Sequence, residues 1–355
     1  MLGAGGFIGS RAVELFHLTG AFDIRAVVRR PGSMARAARF RLDSRLADAQ
    51  DSRQLEDAFN GCDAVLHLAA GDPRVIAGSV QPVHEAATRA GVRRIVYMSS
   101  ASVHGQSPDP GTVEETPLHR RHAIAYNNAK VDAERQWQRL QGRGPEIVVL
   151  RPAIVFGPRS RWVSVCAEEL LAGRAYLVDG GRGVCNTIYV DNLLHAARLA
   201  LTVPEAAGQT FFVGDRERMT WREFYEPIAK SLGIDPATID VLDRVPDSRP
   251  SARDRVKALK STAPVQFGLR WTPPRLKRSV KAAIAGWRHA DAAPTTGGAA
   301  ARPQPTLEMT MLQQCRWQLD WSKAATAIGY QPIVSAAEGM RRSIAWLRFA
   351  GYPVR

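Results

Sequence analysis

The residues Gly3-Ala4-Gly5-Gly6-Phe7-Ile8-Gly9 form a glycine-rich turn that leads into a helical pattern ending at Leu18. Glycines spaced three apart, at positions 3, 6 and 9, let a backbone turn tightly and approach a pyrophosphate at the helix N-terminus. We therefore predict that Gly3, Gly6, Phe7, Ile8 and Gly9 bind the phosphates of a dinucleotide. Glycine-rich turns are common, so this prediction depends on the elements that surround the turn.

Short apolar runs alternate with helical patterns through the first half of the chain. The predicted strands cover 24–29, 63–70, 94–100 and 146–150, and the predicted helices cover 9–18, 52–59, 79–90 and 119–140. This alternation predicts an α/β fold with a Rossmann-type, doubly wound parallel sheet that is covered on both faces. We expect residues 1–158 to form this cofactor domain, with 184–205 returning to it, and 159–183 and 206–355 to form a smaller α+β substrate domain.

The glycine-rich turn should follow the first, central strand of the sheet, yet only Met1 and Leu2 precede it. A strand averages five or six residues, and an unfilled central position would leave both neighbouring strands unpaired. We therefore expect the first strand to be missing from the numbered chain and the natural protein to start upstream of Met1. Mass spectrometry showing that the natural protein starts at Met1 would contradict this expectation.

The end of the second strand predicts which dinucleotide is used. An acidic residue there binds the free 2′-hydroxyl of NAD, whereas an arginine accommodates the 2′-phosphate of NADP. The residues present are Val28, Arg29 and Arg30, with no acid among them. We therefore favour NADP over NAD, with Arg29 as the residue that contacts the 2′-phosphate, and we assign Asp48 to the adenine edge.

A second motif, Tyr126 with Lys130, contains side chains suited to proton transfer. Tyr126 and Lys130 are four residues apart in a helical stretch, so both lie on one helix face. An ammonium beside a phenol lowers the phenol pKa, which allows the tyrosine to act as a general acid or base. Ser99 and Ser100 lie at the C-terminal end of the predicted strand 94–100, at the sheet edge where ligands bind in open α/β folds.

Segments that resemble one superfamily span nearly the whole chain. They are GAGGFIG (3–9), the segment around Asp48, HLAA (67–70), GVRRIVYMSSASVHG (91–105), YNNAK (126–130), LRPAIVFGP (150–158), IYVDN (188–192) and IGYQP followed by EGMRRSIAWL near the end. The chain thus resembles an extended short-chain dehydrogenase/reductase. That superfamily includes NDP-sugar epimerases and dehydratases, 3β-hydroxysteroid dehydrogenases and dihydroflavonol reductases.

The resemblance implies a catalytic triad of Ser100, Tyr126 and Lys130. Tyr126 would exchange the hydroxyl proton, and Ser100 would hydrogen-bond the same oxygen. Lys130 would lower the Tyr126 pKa and bind the nicotinamide ribose. The resemblance also implies a cofactor contact at Ala69, and Ser102 is a second candidate for the serine role.

Departures from the superfamily patterns bear on the substrate, which we expect to be a small sugar-like or apolar-ring alcohol or ketone. Sugar-nucleotide 4,6-dehydratases have a Thr-Asp-Glu triplet where this chain has Ser-Ala-Ser at residues 100–102, so dehydration is not the expected activity. NDP-sugar enzymes commonly place an asparagine and an arginine where this chain has Ile154 and Cys185. The segment 189–192 is more similar to the 3β-hydroxysteroid dehydrogenase branch, whereas the serine loop resembles that of epimerases.

The expected activity is NAD(P)-dependent hydride transfer at a secondary alcohol or ketone. NDP-sugar epimerisation and a catalytically silent NAD(P)-binding regulator stay open as alternatives. Sustained net turnover of the cofactor separates a dehydrogenase from an epimerase. The four cysteines, at positions 62, 166, 185 and 315, contain no CxxC pair, so neither a disulfide framework nor a metal site is expected.

The net charge of +14 is concentrated in one segment. Residues 244–288 hold twelve basic and two acidic side chains, which leaves only +4 for the rest of the chain. Within 275–288, apolar residues follow a helical spacing between basic ones, which is typical of membrane-surface helices as well as of ordinary packed helices. We expect a cytoplasmic protein with a mobile loop over 289–306 and no nucleic-acid partner. For 275–288 we favour a helix packed on the substrate domain, with peripheral membrane contact as the alternative, and a homodimer also stays open.

Overall fold

The computed structural model describes residues 1–242, 303 and 305–355. Eleven helices and ten strands lie in these ranges. The strands are β1 (Arg25–Val28), β2 (Asp43–Leu46), β3 (Ala64–His67), β4 (Arg94–Met98), β5 (Glu146–Pro152), β6 (Ile154–Phe156), β7 (Tyr176–Val178), β8 (Thr187–Tyr189), β9 (Thr210–Val213) and β10 (Asp240–Leu242). The helices are α1 (Phe7–Leu18), α2 (Ser52–Phe59), α3 (Pro73–Gly78), α4 (Val80–Arg89), α5 (Ala125–Leu140), α6 (Arg161–Leu171), α7 (Val190–Thr202), α8 (Trp221–Ser231), α9 (Leu307–Gln313), α10 (Ser322–Ile328) and α11 (Ala336–Phe349).

One parallel sheet organises the first half of the chain, as the sequence predicted. Its order is β2-β1, then Leu2, then β3-β4-β5-β9, and every pairing is parallel. Helix α7 packs on one face of this sheet, and helices α4 and α5 pack on the other. The predicted α/β class is therefore confirmed, and the carboxyl ends of the strands meet at one edge of the sheet.

Met1 and Leu2 occupy the central position that the sequence left nearly empty. The Leu2 amide donates to the Leu66 carbonyl at 3.0 Å, and the Val27 amide donates to the Met1 carbonyl at 2.8 Å. The Gly3 amide also donates to the Val27 carbonyl at 3.0 Å. A groove lined by Arg25 and Ala64 borders Met1. That a longer natural strand fills this position stays a prediction.

Two predicted elements differ in extent. The helix expected from 119 begins only at Ala125, because the Asn128 side chain bonds both the amide and the carbonyl of His122 and holds the preceding chain in a turn. The sheet also gains β9 from outside the predicted returning segment 184–205. The division into a cofactor domain and a substrate domain is otherwise still a prediction.

The second half of the described chain builds a smaller α+β layer. Two parallel pairs, β6 with β8 and β7 with β10, lie beside α6, α8 and α11 around a second apolar core. Helix α8 begins with a capping box, in which Thr220 and Glu223 exchange side-chain and backbone bonds, as their spacing of three in the sequence predicts. Such a box satisfies amides that would otherwise lack partners at the helix start.

The basic segment 244–288 and its part 275–288 lie outside the described residues, as does nearly all of the predicted loop 289–306. Its last residue, Thr306, is described and caps α9 by accepting a hydrogen bond from the Met309 amide.

Within the described ranges, no helix has the length and apolar character needed to cross a bilayer. The same ranges contain no group of His, Cys, Asp and Glu side chains placed to hold a metal ion.

Candidate active site

The glycine-rich turn lies at the carboxyl edge of the sheet, between Leu2 and α1. Gly3 has a φ of +86°, and a Cβ there would lie 2.8 Å from the Ala69 amide nitrogen. A Cβ on Gly9 would lie 2.2 Å from the Gly3 carbonyl oxygen, so helix and turn pack without space for a side chain. At Gly6, by contrast, the nearest atom would be at an ordinary 3.5 Å, and this residue faces a cleft.

The start of α1 is arranged to accept a phosphate. Gly6 is its N-cap and has no side chain to bind the first amides, and the first turn carries no acidic residue. Free amides and the positive end of the helix dipole favour an anion at this place. The turn therefore fits a dinucleotide pyrophosphate: Gly3 and Gly9 shape the backbone, and Gly6 leaves room for the ligand.

One cleft of about 670 Å³ joins this turn to the predicted catalytic residues. Phe7, Ile8, Leu68 and Ala70 line one part of it, and Ser100, Tyr126 and Lys130 line the next. The structure thus brings together most of the residues that the sequence nominated. Ala69 lies between two lining residues and supports the turn through its contact with Gly3.

Ser100 and Tyr126, the predicted serine and tyrosine of the triad, both line this cleft. Ser100 caps a short 3₁₀ turn over Ala101–His104, and its hydroxyl accepts a hydrogen bond from the Ser102 amide at 3.2 Å. Burial raises the pKa of the Tyr126 phenol to about 12, while a hydrogen bond with Ser100 lowers it and the charge of Glu308 raises it. The Ser102 hydroxyl oxygen is buried and has no partner among the described residues.

Lys130 is buried, with 1% of its surface exposed, but its bonds differ from the expected ones. Its Nζ donates to the Met98 carbonyl at 2.6 Å and to the Tyr97 hydroxyl at 3.2 Å, both on β4. It lies 5.8 Å from the centroid of the Tyr126 ring. Burial lowers the pKa of Lys130 to about 7, and the nearby charge of Glu134 acts in the opposite direction.

A buried ion pair lies beside residues 99–104, and the sequence did not predict it. The Arg151 guanidinium, at the end of β5, contacts the Glu134 carboxylate of α5 at 2.6 Å and donates to the Glu114 carbonyl at 2.8 Å. Glu134 also accepts a hydrogen bond from the Ser99 hydroxyl. The available signal was spacing, because Glu134 follows Lys130 by four residues on the same helix face.

The residues assigned to the adenosine end lie away from this cleft. Arg29 and Arg30 are exposed directly after β1, at the carboxyl edge of the sheet. Asp48 accepts a hydrogen bond from the Gln50 amide at 3.0 Å and does not line the cleft. Their predicted contacts with a cofactor stay predictions.

The far wall of the cleft is mostly apolar. It is lined by Pro108, Ile154, Trp162, Val184, Leu312, Cys315 and Leu319. Its polar lining includes Asn186 and Gln106, whose amide donates to the Glu308 carboxylate at 2.9 Å. Among the described lining residues, Arg161 is the only cation besides Lys130.

Comparisons with known proteins agree with this architecture. A 26% identical relative, "3-beta-hydroxysteroid dehydrogenase" of Mycolicibacterium neoaurum, aligns over 94% of this chain and 95% of its own length. "Cinnamoyl-CoA reductase 1" of Petunia hybrida is 30% identical over 58% of this chain and 69% of its own length. The "3beta-hydroxysteroid-dehydrogenase/decarboxylase isoform 2" of Arabidopsis thaliana is 26% identical over 84% of this chain, which spans only half the length of that relative.

Solved structures of low sequence identity share the fold. The dTDP-glucose 4,6-dehydratase DesIV of Streptomyces venezuelae, solved with NAD bound, superposes with a TM-score of 0.69 at 20% identity, covering 98% of this chain and 96% of DesIV. The UDP-glucose 4-epimerase of Thermotoga maritima superposes with a TM-score of 0.66 at 19% identity, covering 98% of both chains.

A family model decides the assignment. It describes the 3-beta hydroxysteroid dehydrogenase/isomerase family and matches residues 1–244. The predicted class, an NAD(P)-dependent oxidoreductase of the extended short-chain type, agrees with this match and with the dehydrogenases and reductases among the relatives. The chain belongs to the 3-beta hydroxysteroid dehydrogenase/isomerase family.

Proposed function

We propose that this protein transfers a hydride between a nicotinamide cofactor and a secondary alcohol or ketone on an apolar ring compound. One observation carries the proposal: a single cleft contains the glycine-rich turn, the Ser100–Tyr126–Lys130 set and an apolar wall. The turn suits the phosphates, the set suits proton exchange at an oxygen, and the wall suits an uncharged ring.

Each residue has a defined part in this reaction. The backbone of residues 3–9 would hold the pyrophosphate, and a bound nicotinamide would supply the hydride acceptor or donor. Tyr126 would give or take the proton at its phenolic oxygen, since general acid–base chemistry needs a group in direct reach of the substrate oxygen. Ser100 would hold that oxygen in place, and the positive charge of Lys130 would favour the Tyr126 phenolate.

The cleft supports an apolar substrate over a nucleotide sugar. A sugar diphosphate needs cationic or amide groups around its phosphates, as phosphate recognition in proteins generally does. At two positions where such groups were expected, the structure has Ile154, which is 5% exposed, and the buried Cys185. The curated 3β-hydroxysteroid dehydrogenase of Mycolicibacterium neoaurum supports the same choice.

For the cofactor we propose NADP over NAD. The support is the pair of exposed arginines, Arg29 and Arg30, at the end of β1, where the adenosine ribose is read in this fold. A phosphate receives charge-assisted hydrogen bonds from guanidinium groups, which a hydroxyl cannot match. We expect Arg29→Ala to weaken NADP binding about tenfold and to leave NAD binding nearly unchanged.

This cofactor preference is measured by titrating the purified protein with each dinucleotide and following tryptophan fluorescence. Arg143→Ala, an exposed arginine in the turn after α5, is the matched control and should change neither affinity. An equal loss of NAD and NADP affinity in Arg29→Ala would contradict the 2′-phosphate assignment.

The activity is tested with a substrate panel and both cofactors. We expect net formation of reduced cofactor with 3β-hydroxysteroids and none with UDP-glucose, measured by absorbance of the reduced nicotinamide. Tyr126→Phe should lower turnover by about 10²- to 10⁴-fold, because it removes the exchangeable proton, and should keep cofactor binding. Interconversion of UDP-sugars without net cofactor turnover would favour the epimerase alternative instead.

A further inference from the structure

A second tyrosine contacts the site from the sheet. Tyr97 lies on β4, is fully buried, and accepts a hydrogen bond from Lys130 Nζ at 3.2 Å. Its ring packs against His67 and Trp137, with ring centroids 5.3 Å and 5.6 Å away, and these two rings also contact each other at 6.3 Å. The contacts with both rings restrict the orientation of the Tyr97 ring, and therefore the place of its hydroxyl oxygen.

The two acceptors of Lys130 differ in kind. The Met98 carbonyl belongs to the backbone of β4 and cannot be removed by substitution, whereas the Tyr97 oxygen depends on one side chain. The same ammonium lies 4.8 Å from the centroid of the Tyr97 ring, a distance at which a cation is attracted by an aromatic face. Tyr97 thus contacts the ammonium through both its oxygen and its ring.

We propose that Tyr97 is a positioning residue that keeps Lys130 charged and directed at the reaction centre, so that it controls the acid–base strength of Tyr126 indirectly. The proposal rests on the proposed function, in which the Lys130 charge favours the Tyr126 phenolate. Tyr97 itself does not line the cleft, so it acts through Lys130 and not on the substrate.

The other charged and titratable groups around Lys130 leave this role to Tyr97. From β3, burial and the Lys130 charge lower the pKa of His67 to about 3, so His67 is neutral near pH 7. On α5, Glu134 is held in its ion pair with Arg151 of β5. From α9, Glu308 acts on Tyr126, where it raises the pKa.

The direction of the effect follows from hydrogen-bond chemistry. An acceptor stabilises the charged form of an amine, and its loss in a buried site favours the neutral form. Tyr97→Phe removes the oxygen and keeps the ring contacts with His67 and Trp137. We expect the pKa of Lys130 to fall by about one pH unit, since hydrogen bonds to charged groups are stronger than neutral ones.

The first measurement does not depend on activity. The protein contains seven lysines, so ¹⁵N-lysine labelling gives few side-chain signals, and Lys130→Arg assigns the relevant one. The Lys130 Nζ signal is followed against pH by NMR in the wild-type protein and in Tyr97→Phe. A titration that is identical in both proteins would overturn the proposal.

The second measurement is the pH profile of alcohol oxidation. In Tyr97→Phe the rising limb should move to higher pH, with turnover at neutral pH about threefold to tenfold lower. A purely structural role would lower the rate equally at every pH, and that outcome also overturns the proposal. Tyr225→Phe, which removes a buried phenol oxygen in α8 away from the site, is the matched control and should change neither readout.

These readouts separate the two proposals. If the wild-type protein turns over no member of the substrate panel, the proposed function fails, and the NMR titration alone decides whether Tyr97 controls Lys130. If turnover is present and the Lys130 titration shifts while the pH profile stays in place, the proposed function stands and the positioning role fails.

Discussion

Two buried cations lie near the carboxyl edge of the same sheet and have opposite surroundings. Arg151 is 4% exposed and faces the Glu134 carboxylate, with which it makes several hydrogen bonds. Lys130 is 1% exposed and has only neutral acceptors, the Tyr97 hydroxyl and the Met98 carbonyl. Arg151 is in direct contact with an opposite charge, whereas Lys130 only has the Glu134 charge nearby, without direct contact.

This difference separates a structural role from a chemical one. A paired buried charge is costly to disturb, because removing one partner leaves the other uncompensated. An unmatched buried ammonium loses affinity for its proton, and burial indeed lowers the pKa of Lys130 to about 7. Groups that titrate near neutral pH are the ones that acid–base catalysis uses. The comparison therefore predicts that Arg151 matters for folding and Lys130 for turnover.

The largest expected effect is on the matched pair. Glu134→Gln keeps the size of the side chain and leaves the Arg151 guanidinium without its counter-charge, so the free energy of unfolding should fall by about 3–5 kcal/mol. Urea denaturation followed by circular dichroism measures this. Glu56→Gln removes the partner of Arg89 in a pair whose two side chains are each at least 40% exposed, and should cost less than about 1 kcal/mol. Equal losses in the two variants would break the comparison.

The next effect is on turnover. Lys130→Met preserves the length of the side chain and removes its charge, so we expect kcat to fall by about 10²- to 10³-fold while the protein stays folded. Steady-state kinetics measures the change in kcat, with the best substrate from the substrate panel. Lys323→Met, on α10, also removes an amine but lies outside the cleft, and should retain the wild-type kcat.

The smallest effect is a pH dependence of stability. The pKa of Lys130 is about 7 in the folded protein against 10.5 for the ordinary side chain, so the unfolded state binds more protons between these values and stability rises with pH there. Below about pH 7 the cost of burying the charge is fully present. Lys130→Met should therefore be more stable than the wild type at pH 6, on the order of 2 kcal/mol.

Thermal or urea unfolding at several pH values tests this last prediction. The difference between Lys130→Met and the wild type should shrink as the pH rises toward 10. A stability difference that is independent of pH would show that the folded protein does not bury a charged lysine at this position, and would remove the contrast with Arg151.

Local sequence patterns predicted those parts of the fold that depend on neighbouring residues. The capping box at Thr220 and Glu223 needs only a spacing of three, and the apolar strands β3, β4 and β5 need only a continuous run. The short strands β7 and β10 were missed, because each has three residues and exists through pairing with the other across a long sequence separation.

The candidate site shows the same limit. The spacing of Tyr126 and Lys130 places both on one helix face, but it does not predict which atoms accept hydrogen bonds from the Lys130 ammonium. The two acceptors, on Tyr97 and Met98, are 33 and 32 residues away on a strand. Likewise Arg151 meets Glu134 only because β5 ends beside α5. Contacts between remote elements require the fold, whereas the glycine turn and its helix did not.

The backbone pairing at Leu2 connects the two parts of the parallel sheet. Leu2 and its two neighbours link β1 and β2 to the β3–β9 block through a few backbone bonds, including Leu2 to Leu66 and Leu68 to Leu2. The glycine-rich turn begins at the residue that follows Leu2. A dinucleotide bound at this turn would stabilise the adjacent backbone pairing, since ligands that bind only the native state stabilise it. Slower hydrogen exchange of the Leu68 amide, which donates to the Leu2 carbonyl, in the presence of the dinucleotide would measure this stabilisation.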